Sequence, residues 1–229
     1  MIKKSMIAGA VALGCAGVQA ASANLTVTGT ISPEACSISL GGSAAATVDY
    51  GKLQTNDVKK KAVLGTDIPL YDLGQKSINL QVNCASPTVV VLHWVDNKSE
   101  SIINSNASIP SRFGLGVSAG KNIGIYSLDG LVSQIATTAS GSLTNGGGYA
   151  YSASIPPSWN YYDVDGAVGK FKNNGYYGFK ISAPDTSITA IYSAAITLYV
   201  NAYVSKSLVD TSASEIKLDG SSTVSLEYL

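Results

Sequence analysis

The chain has 229 residues, with 15 lysines and arginines against 15 aspartates and glutamates, and only 13% of its residues are charged. This length is enough for one substantial hydrophobic core. The formal net charge is zero and the sequence has no basic stripe, so it lacks the electrostatic footprint of a nucleic-acid-binding protein and we expect no nucleic-acid partner.

The first twenty residues have the layout of a secretory signal peptide. Lys3 and Lys4 form a positive start, residues 6–17 are small and apolar, and Val18-Gln-Ala20 precedes the expected cleavage site. We therefore predict a signal peptide at 1–20 and a mature chain at 21–229. Its net charge is about −2, because removing two lysines leaves 13 positive charges against 15 negative ones. The alternative is lipidation at Cys15, which would tether the chain to a membrane.

Two cysteines remain after removal of the predicted signal, Cys36 and Cys84. An even number of cysteines in an exported chain indicates a disulfide, because the compartments outside the cytosol are oxidising. The alternative is a pair of free thiols. We predict the bridge.

Alternation of apolar and polar residues runs through most of the mature chain. It is clearest at 25–31, 78–83, 196–201 and 224–228, and it is typical of strands buried on one face. The β-branched run at 88–95 predicts a strand covered on both faces. Clusters of glycine, serine, asparagine and proline separate these segments, and none shows sustained helical periodicity. Many short strands between turns predict an all-β sandwich.

We predict a single domain over 21–229, because no linker divides the chain. The segment 138–174 is less regular and is interpreted as a loop-rich insertion. It is rich in aromatic side chains with polar tips, which suit contacts with a glycan or protein receptor. These residues form a candidate adhesive surface, with ordinary packing as the alternative: Tyr149, Tyr151, Trp159, Tyr161 and Tyr162.

Catalytic and metal motifs are weak. His93 is the only histidine, so no pair of histidines exists to bind zinc. Gly116-Val-Ser118-Ala-Gly120 matches the Gly-x-Ser-x-Gly nucleophile elbow, but no helical pattern follows it, and His93 precedes the serine instead of following it. Residues 163–166 resemble a fragment of a calcium loop that lacks further ligands. We expect no enzymatic activity, no metal and no cofactor.

Three motifs resemble bacterial fimbrial subunits of the chaperone–usher type. Gly29-Thr-Ile31 precedes Cys36 by four residues, Leu80-x-Val82-x-Cys84 carries the second cysteine, and alternating apolar residues with a penultimate tyrosine end the chain. Within that group, 25–31, 48–51, 113–116 and 121–124 resemble an uncharacterised fimbrial-like family of Gram-negative bacteria, defined by a domain of unknown function.

The resemblance implies an Ig-like pilin sandwich that lacks its final strand. A periplasmic chaperone would fill the open groove, and after passage through an outer-membrane usher a neighbouring subunit's N-terminal segment would replace it. The residues implied are Val224, Leu226, Tyr228 and Leu229 for chaperone recognition, and Leu25, Val27, Gly29 and Ile31 as donor or first strand. We therefore expect a structural or adhesive fimbrial subunit at the cell surface. The alternative is a self-contained secreted adhesin or lectin-like module that does not polymerise.

Overall fold

The computed structural model describes residues 26–29, 35–104, 109, 111–137, 148–155, 157, 160–161, 168–181 and 187–229. The chain divides into two units, Met1–Pro33 and Glu34–Leu229. In the first unit, residues 26–29 have no regular secondary structure, and the predicted signal peptide lies outside the described residues. All described strands and helices belong to the second unit.

Strands dominate the second unit, with two short α-helices and one 3-10 turn at Ser99–Ser101. The strands are β1 (Cys36–Leu40), β2 (Val63–Leu64), β3 (Leu70–Thr88), β4 (Val90–Asp96), β5 (Phe113–Gly114), β6 (Val117–Ser118), β7 (Lys121–Asn122), β8 (Gly124–Ala136), β9 (Gly148–Ser152), β10 (Asn160–Tyr161), β11 (Val168–Phe171), β12 (Gly175–Lys180), β13 (Ile191–Ser205) and β14 (Ser222–Tyr228). The helices are α1 (Thr55–Val58) and α2 (Lys206–Thr211). No helix in the described part of the chain is long and apolar enough to cross a membrane.

Two antiparallel sheets pack face to face and form the predicted all-β sandwich. The first sheet, sheet A, has the order β1-β3-β13-β8-β11, with β2 added to β3 and β5 added to β8. The second, sheet B, has the order β10-β9-β12-β4-β14. A short hairpin of β6 and β7 continues the β5–β8 pairing, because the Leu115 and Ile123 amides donate to the Gly124 and Gly116 carbonyls. Strands β1 and β14 are therefore the edge strands at one side of the sandwich, in contact with each other.

The strand periodicity read from the sequence agrees with the burial. On β3, Leu80 and Val82 are buried while Asn79, Gln81 and Asn83 are exposed. The run at 88–95 contains β4, whose residues Val90, Val91 and Leu92 are all fully buried, so both faces are covered as predicted. The N-terminal segment is different, because the first strand of the sandwich is Cys36–Leu40 and no strand occupies residues 26–29.

The predicted insertion at 138–174 contributes to both sheets where it is described. It contains β9 and β10 of sheet B and β11 of sheet A, so it is not a purely loop-forming addition. Its buried ring, Tyr149, packs against Phe171 and Tyr177 in the middle of the core. These strands were not identified individually from the sequence, because each has only two to five residues.

A pair of facing glycines makes room for these rings. Gly130 on β8 and Gly169 on β11 are opposite each other in register. A Cβ atom on Gly130 would lie 2.4 Å from the Phe171 ring, and one on Gly169 would lie 2.5 Å from the Tyr149 ring. Only glycine permits such a close approach, so the side of the sandwich near β11 is filled by aromatic side chains.

Candidate strand-docking groove

The two edge strands at one side of the sandwich approach each other without pairing. Within the described residues, β1 pairs with β3 and β14 pairs with β4, and neither has a strand on its other side. One hydrogen bond links the two edges, since the Cys36 amide donates to the Tyr228 hydroxyl at 2.8 Å. Unpaired edges of this kind offer backbone donors and acceptors to a further strand.

A cavity of about 610 Å³ continues between the two sheets along this side. Its floor is apolar and comes from both sheets, with Ile78, Leu198 and Val200 from sheet A and Trp94 from sheet B. One wall is Leu40 with residues 46–51, and the other is residues 215–222. The sandwich is therefore filled near β11 and incompletely filled near β1.

The first wall begins with a tight turn. Gly41 and Gly42 have positive φ angles of 56° and 84°, and Leu40 and Ser43 exchange backbone hydrogen bonds across them. The wall ends at Tyr50, whose hydroxyl donates to the Val200 carbonyl at 2.8 Å. Burial raises the pKa of Tyr50 to about 12 because ionisation would place a charge in this apolar environment. This anchored tyrosine fixes the segment beside the cavity.

The second wall is the segment that leads into β14. The Asp219 amide donates to the Leu115 carbonyl at 3.0 Å, and the Asp219 carboxylate lies 2.6 Å from the Lys98 ammonium. Asn97 then binds Ser221 through both its backbone amide and its side-chain amide. These contacts hold the segment before β14 in place, although it is not paired with any described strand.

Two polar groups in the described core are buried and make no hydrogen bond: the Trp94 indole Nε1–H, at the cavity floor, and the Tyr149 hydroxyl. An unsatisfied buried donor costs about 1–3 kcal/mol. The Trp94 ring stacks on Phe171 at 5.0 Å, so aromatic packing holds the side chain although the donor remains unpaired.

The terminal strand has the geometry that its sequence pattern predicts. Val224, Leu226 and Tyr228 are opposite Trp94, Leu92 and Val90 of β4, which places all three on the inner face. Val224 and Leu226 pack on the core, whereas Tyr228 and Leu229 are 42% and 50% exposed.

On the outer face, the Glu227 carboxylate lies 2.9 Å from His93 Nδ1. The His93 ring also stacks on Tyr176 at 4.2 Å. His93 therefore ties β14 to its neighbours in sheet B.

The predicted disulfide is confirmed. Cys36 and Cys84 are opposite each other at the first position of the β1–β3 ladder and are bonded. A disulfide is typical of chains that leave the reducing cytosol, so its presence indicates an exported protein. The bridge holds the edge strand β1 at the end where Tyr228 contacts it.

The candidate adhesive residues are described only in part. Tyr149 is only 2% exposed and is therefore wrong as a surface residue, because the space beside Gly169 lets its ring enter the core. Tyr151 is half-buried and packs on Tyr177. Tyr161 is placed by its backbone on β10, and Trp159 and Tyr162 lie outside the described residues.

The remaining sequence motifs are also located. Ser118 lies on β6, and a tight turn leads from it directly into β7, so the strand-to-helix geometry of a nucleophile elbow is absent there. Among the described residues, no group of three or more His, Cys, Asp or Glu could hold a metal ion. Of the predicted donor residues, Val27 and Gly29 lie in the described segment without strand structure, and Leu25 and Ile31 lie outside it.

Sequence reasoning missed both walls of the cavity. Residues 46–51 and 215–222 show no strand alternation, and their placement depends on single contacts such as Tyr50 to Val200. Gly41 and Gly42 after β1 predict a turn. A turn does not indicate where the residues that follow it, here 46–51, will pack.

Comparison with known proteins finds a match to one family profile and similarity to one curated protein. The chain is 26% identical over 239 aligned positions to Protein GltF of Escherichia coli (strain K12), and the alignment covers 90% of this chain and 87% of that protein. No solved structure matches the chain significantly. Residues 25–126 match the profile of DUF1120, described as a protein of unknown function. Through this segment, which spans the disulfide and the strands from β1 to β7, the chain is similar to the DUF1120 family.

Proposed function

We propose that this chain is a structural or adhesive subunit of a fimbria-like surface assembly, joined to its neighbours by β-strand donation. The observation that carries the proposal is the cavity of about 610 Å³ with its apolar floor, which reaches Leu40 at the end of β1 and Ser222 at the start of β14. An extended segment inserted there would gain backbone hydrogen bonds from an edge strand and would bury alternate side chains. The partners proposed are a periplasmic chaperone, an outer-membrane usher and a second subunit.

The donor proposed is the N-terminal segment of the mature chain. Leu25, Val27, Gly29 and Ile31 share one face of an extended strand, and threonines occupy the other face. Leucine, valine and isoleucine would bury their side chains on the apolar floor. Gly29 would allow the donor backbone to approach the floor closely.

A peptide of residues 21–32 tests this proposal. Added to the chain shortened to residues 33–229, it should bind and raise the midpoint of thermal unfolding. The Gly29→Arg peptide should bind about tenfold more weakly or not at all, because the arginine would point into the cavity. The Thr28→Arg peptide is the matched control, since its arginine lies on the opposite face and should leave binding unchanged.

The self-contained adhesin is a second candidate because one observation favours it. Val90 and Leu92 of β4 are fully buried with no added strand present, so the part of the core under β14 is already covered. A mature chain that unfolds reversibly as a monomer and ignores the peptide would establish this alternative and reject strand donation.

Chaperone recognition is tested separately. Replacing Leu226 and Tyr228 by serine should lower the periplasmic level of the protein, because both belong to the inner face of the exposed edge strand. The Thr223→Ser variant is a control on the outer face of the same strand. Equal periplasmic levels and equal protease resistance of the unmodified chain, the variant with both serines and Thr223→Ser would argue against a chaperone.

A further inference from the structure

The outer face of sheet A, on the side away from the core, has an unusual composition. Every second residue of β3 from Gln75 to Asn83 points outward, and all five are exposed. Their register partners on β13 run from Asn201 to Ser193. All ten outward residues on these two strands are uncharged and nine are polar, being amides, hydroxyl side chains or a tyrosine, with Ala195 as the exception. We call this surface the amide face.

A solvent-exposed surface normally carries about 25–35% charged residues of both signs, which keep it soluble and prevent association. The amide face has none over five successive positions of two paired strands. Successive outward residues on a strand are about 6.8 Å apart, so the surface extends roughly 27 Å along β3. A large neutral polar area of this kind requires a physical reason other than solubility.

The chemistry of the amide face restricts its partner. Without lysine or arginine it offers nothing to neutralise a phosphate or sulfate polymer. Without large apolar side chains it lacks the hydrophobic centre of a protein interface. Asparagine and glutamine side chains each provide both donors and acceptors, and so do hydroxyl groups. A neutral polymer of hydroxyl groups satisfies both kinds of group without desolvating an ion.

An aromatic ring lies at one end of this surface. Tyr199 is half-buried, with Ser77 beside it on β3 and Asp129 beside it on β8. The Asn201 side-chain amide lies 3.5 Å from the Asp129 carboxylate and 3.4 Å from the Ser127 hydroxyl. These contacts are long, so the Asn201 amide retains capacity for further hydrogen bonds. A tyrosine ring beside an amide can pack on the C–H face of a sugar ring while the amide binds its hydroxyls.

We propose that the amide face binds a neutral polysaccharide, with Tyr199 and Asn201 as the principal contacts at one end of the face. The site lies on the outer side of sheet A, whereas the cavity lies between the sheets. The inference therefore does not depend on strand donation.

Affinity electrophoresis of the mature chain tests the inference. Native gels should contain dextran, hydroxyethylcellulose or galactomannan as neutral probes, and polygalacturonate as an anionic probe. We expect at least one neutral polysaccharide to retard the protein and polygalacturonate not to retard it. No retardation by any of the neutral polysaccharides would overturn the proposal.

Variants locate the site. Tyr199→Ala and Asn79→Lys should each weaken retardation by about tenfold, through loss of the ring and through an added charge that disrupts the neutral surface. Tyr176→Ala and Thr223→Lys are matched controls on the outer face of sheet B and should behave as the unmodified chain. Unchanged retardation of Asn79→Lys would reject this surface.

Folding and strand donation are controlled separately. Circular dichroism checks each variant, and Asn79→Lys alone decides the question if Tyr199→Ala does not fold, because Asn79 is exposed. Leu226→Ser should retain full retardation, so a failure of the strand-donation proposal leaves this result interpretable.

Discussion

Removing the disulfide tests how β1 is held at the edge of the sandwich. Replacing Cys36 and Cys84 by alanine opens a loop whose ends are separated by 48 residues in the sequence. The chain-entropy relation gives a loss of about 4 kcal/mol in the free energy of unfolding for a loop of this length. Domains of this kind are stable by only about 5–15 kcal/mol, so the loss is a large fraction of the total.

Urea unfolding of the mature chain, followed by far-ultraviolet circular dichroism, measures the effect. With a denaturant dependence of about 2 kcal/mol per molar urea, the midpoint should fall by about 2 M. Ser37→Ala changes the same strand on its exposed face and should shift the midpoint by less than about 0.5 M. A double-cysteine variant within about 0.5 M of the unmodified chain would refute the reasoning and show that pairing with β3 alone holds β1.

Three further predictions concern the core and the edges. Gly130→Ala should destabilise the chain by about 1–3 kcal/mol, because its Cβ would lie 2.4 Å from the Phe171 ring, and an unchanged urea midpoint would contradict the close packing. The raised pKa of Tyr50, about 12, predicts stability that is complete below pH 10 and is lost as the pH rises through 12, since the unfolded tyrosine ionises first. Tyr50→Phe should show less of this loss in unfolding measured against pH. Glu227→Ala should raise the hydrogen-exchange rates of β14 amides about two- to fivefold by removing the contact with His93, whereas Ser225→Ala on the same face should not.

The sequence alone predicted the fold class and the central strands, because alternation at 78–83, 196–201 and 224–228 is a local signal. It also paired Cys36 with Cys84 correctly, since no other cysteine remains in the predicted mature chain. Local signals were insufficient at Tyr149, because tyrosine is also common at exposed positions of strands. Tyr149 could be recognised as a core residue only from the glycine that faces it across the sandwich, and that glycine lies on a different sheet.

The candidate site was predicted only in part. The terminal strand was identified from its own alternation, and the structure places its apolar residues on one face. The cavity beside it depends on contacts between distant segments, such as Asp219 with Leu115. Contacts between distant segments produce no repeating pattern of residues in a single sequence. Of the segment 25–31, predicted as donor or first strand, only 26–29 are described and they have no strand structure; alternation alone does not separate this segment from β1, which alternates as regularly.

The filled side near β11 and the open side near β1 have different consequences for sequence change. Near β11, Gly130 and Gly169 leave room for rings that pack closely against them, so enlargement there should destabilise the fold. Near β1, substitutions in the irregular walls can alter the shape and charge of the cavity while the sheets remain intact. Selection can therefore change what the cavity accepts without altering the residues on which folding depends, which would allow related chains to diverge in their partners and retain the same sandwich.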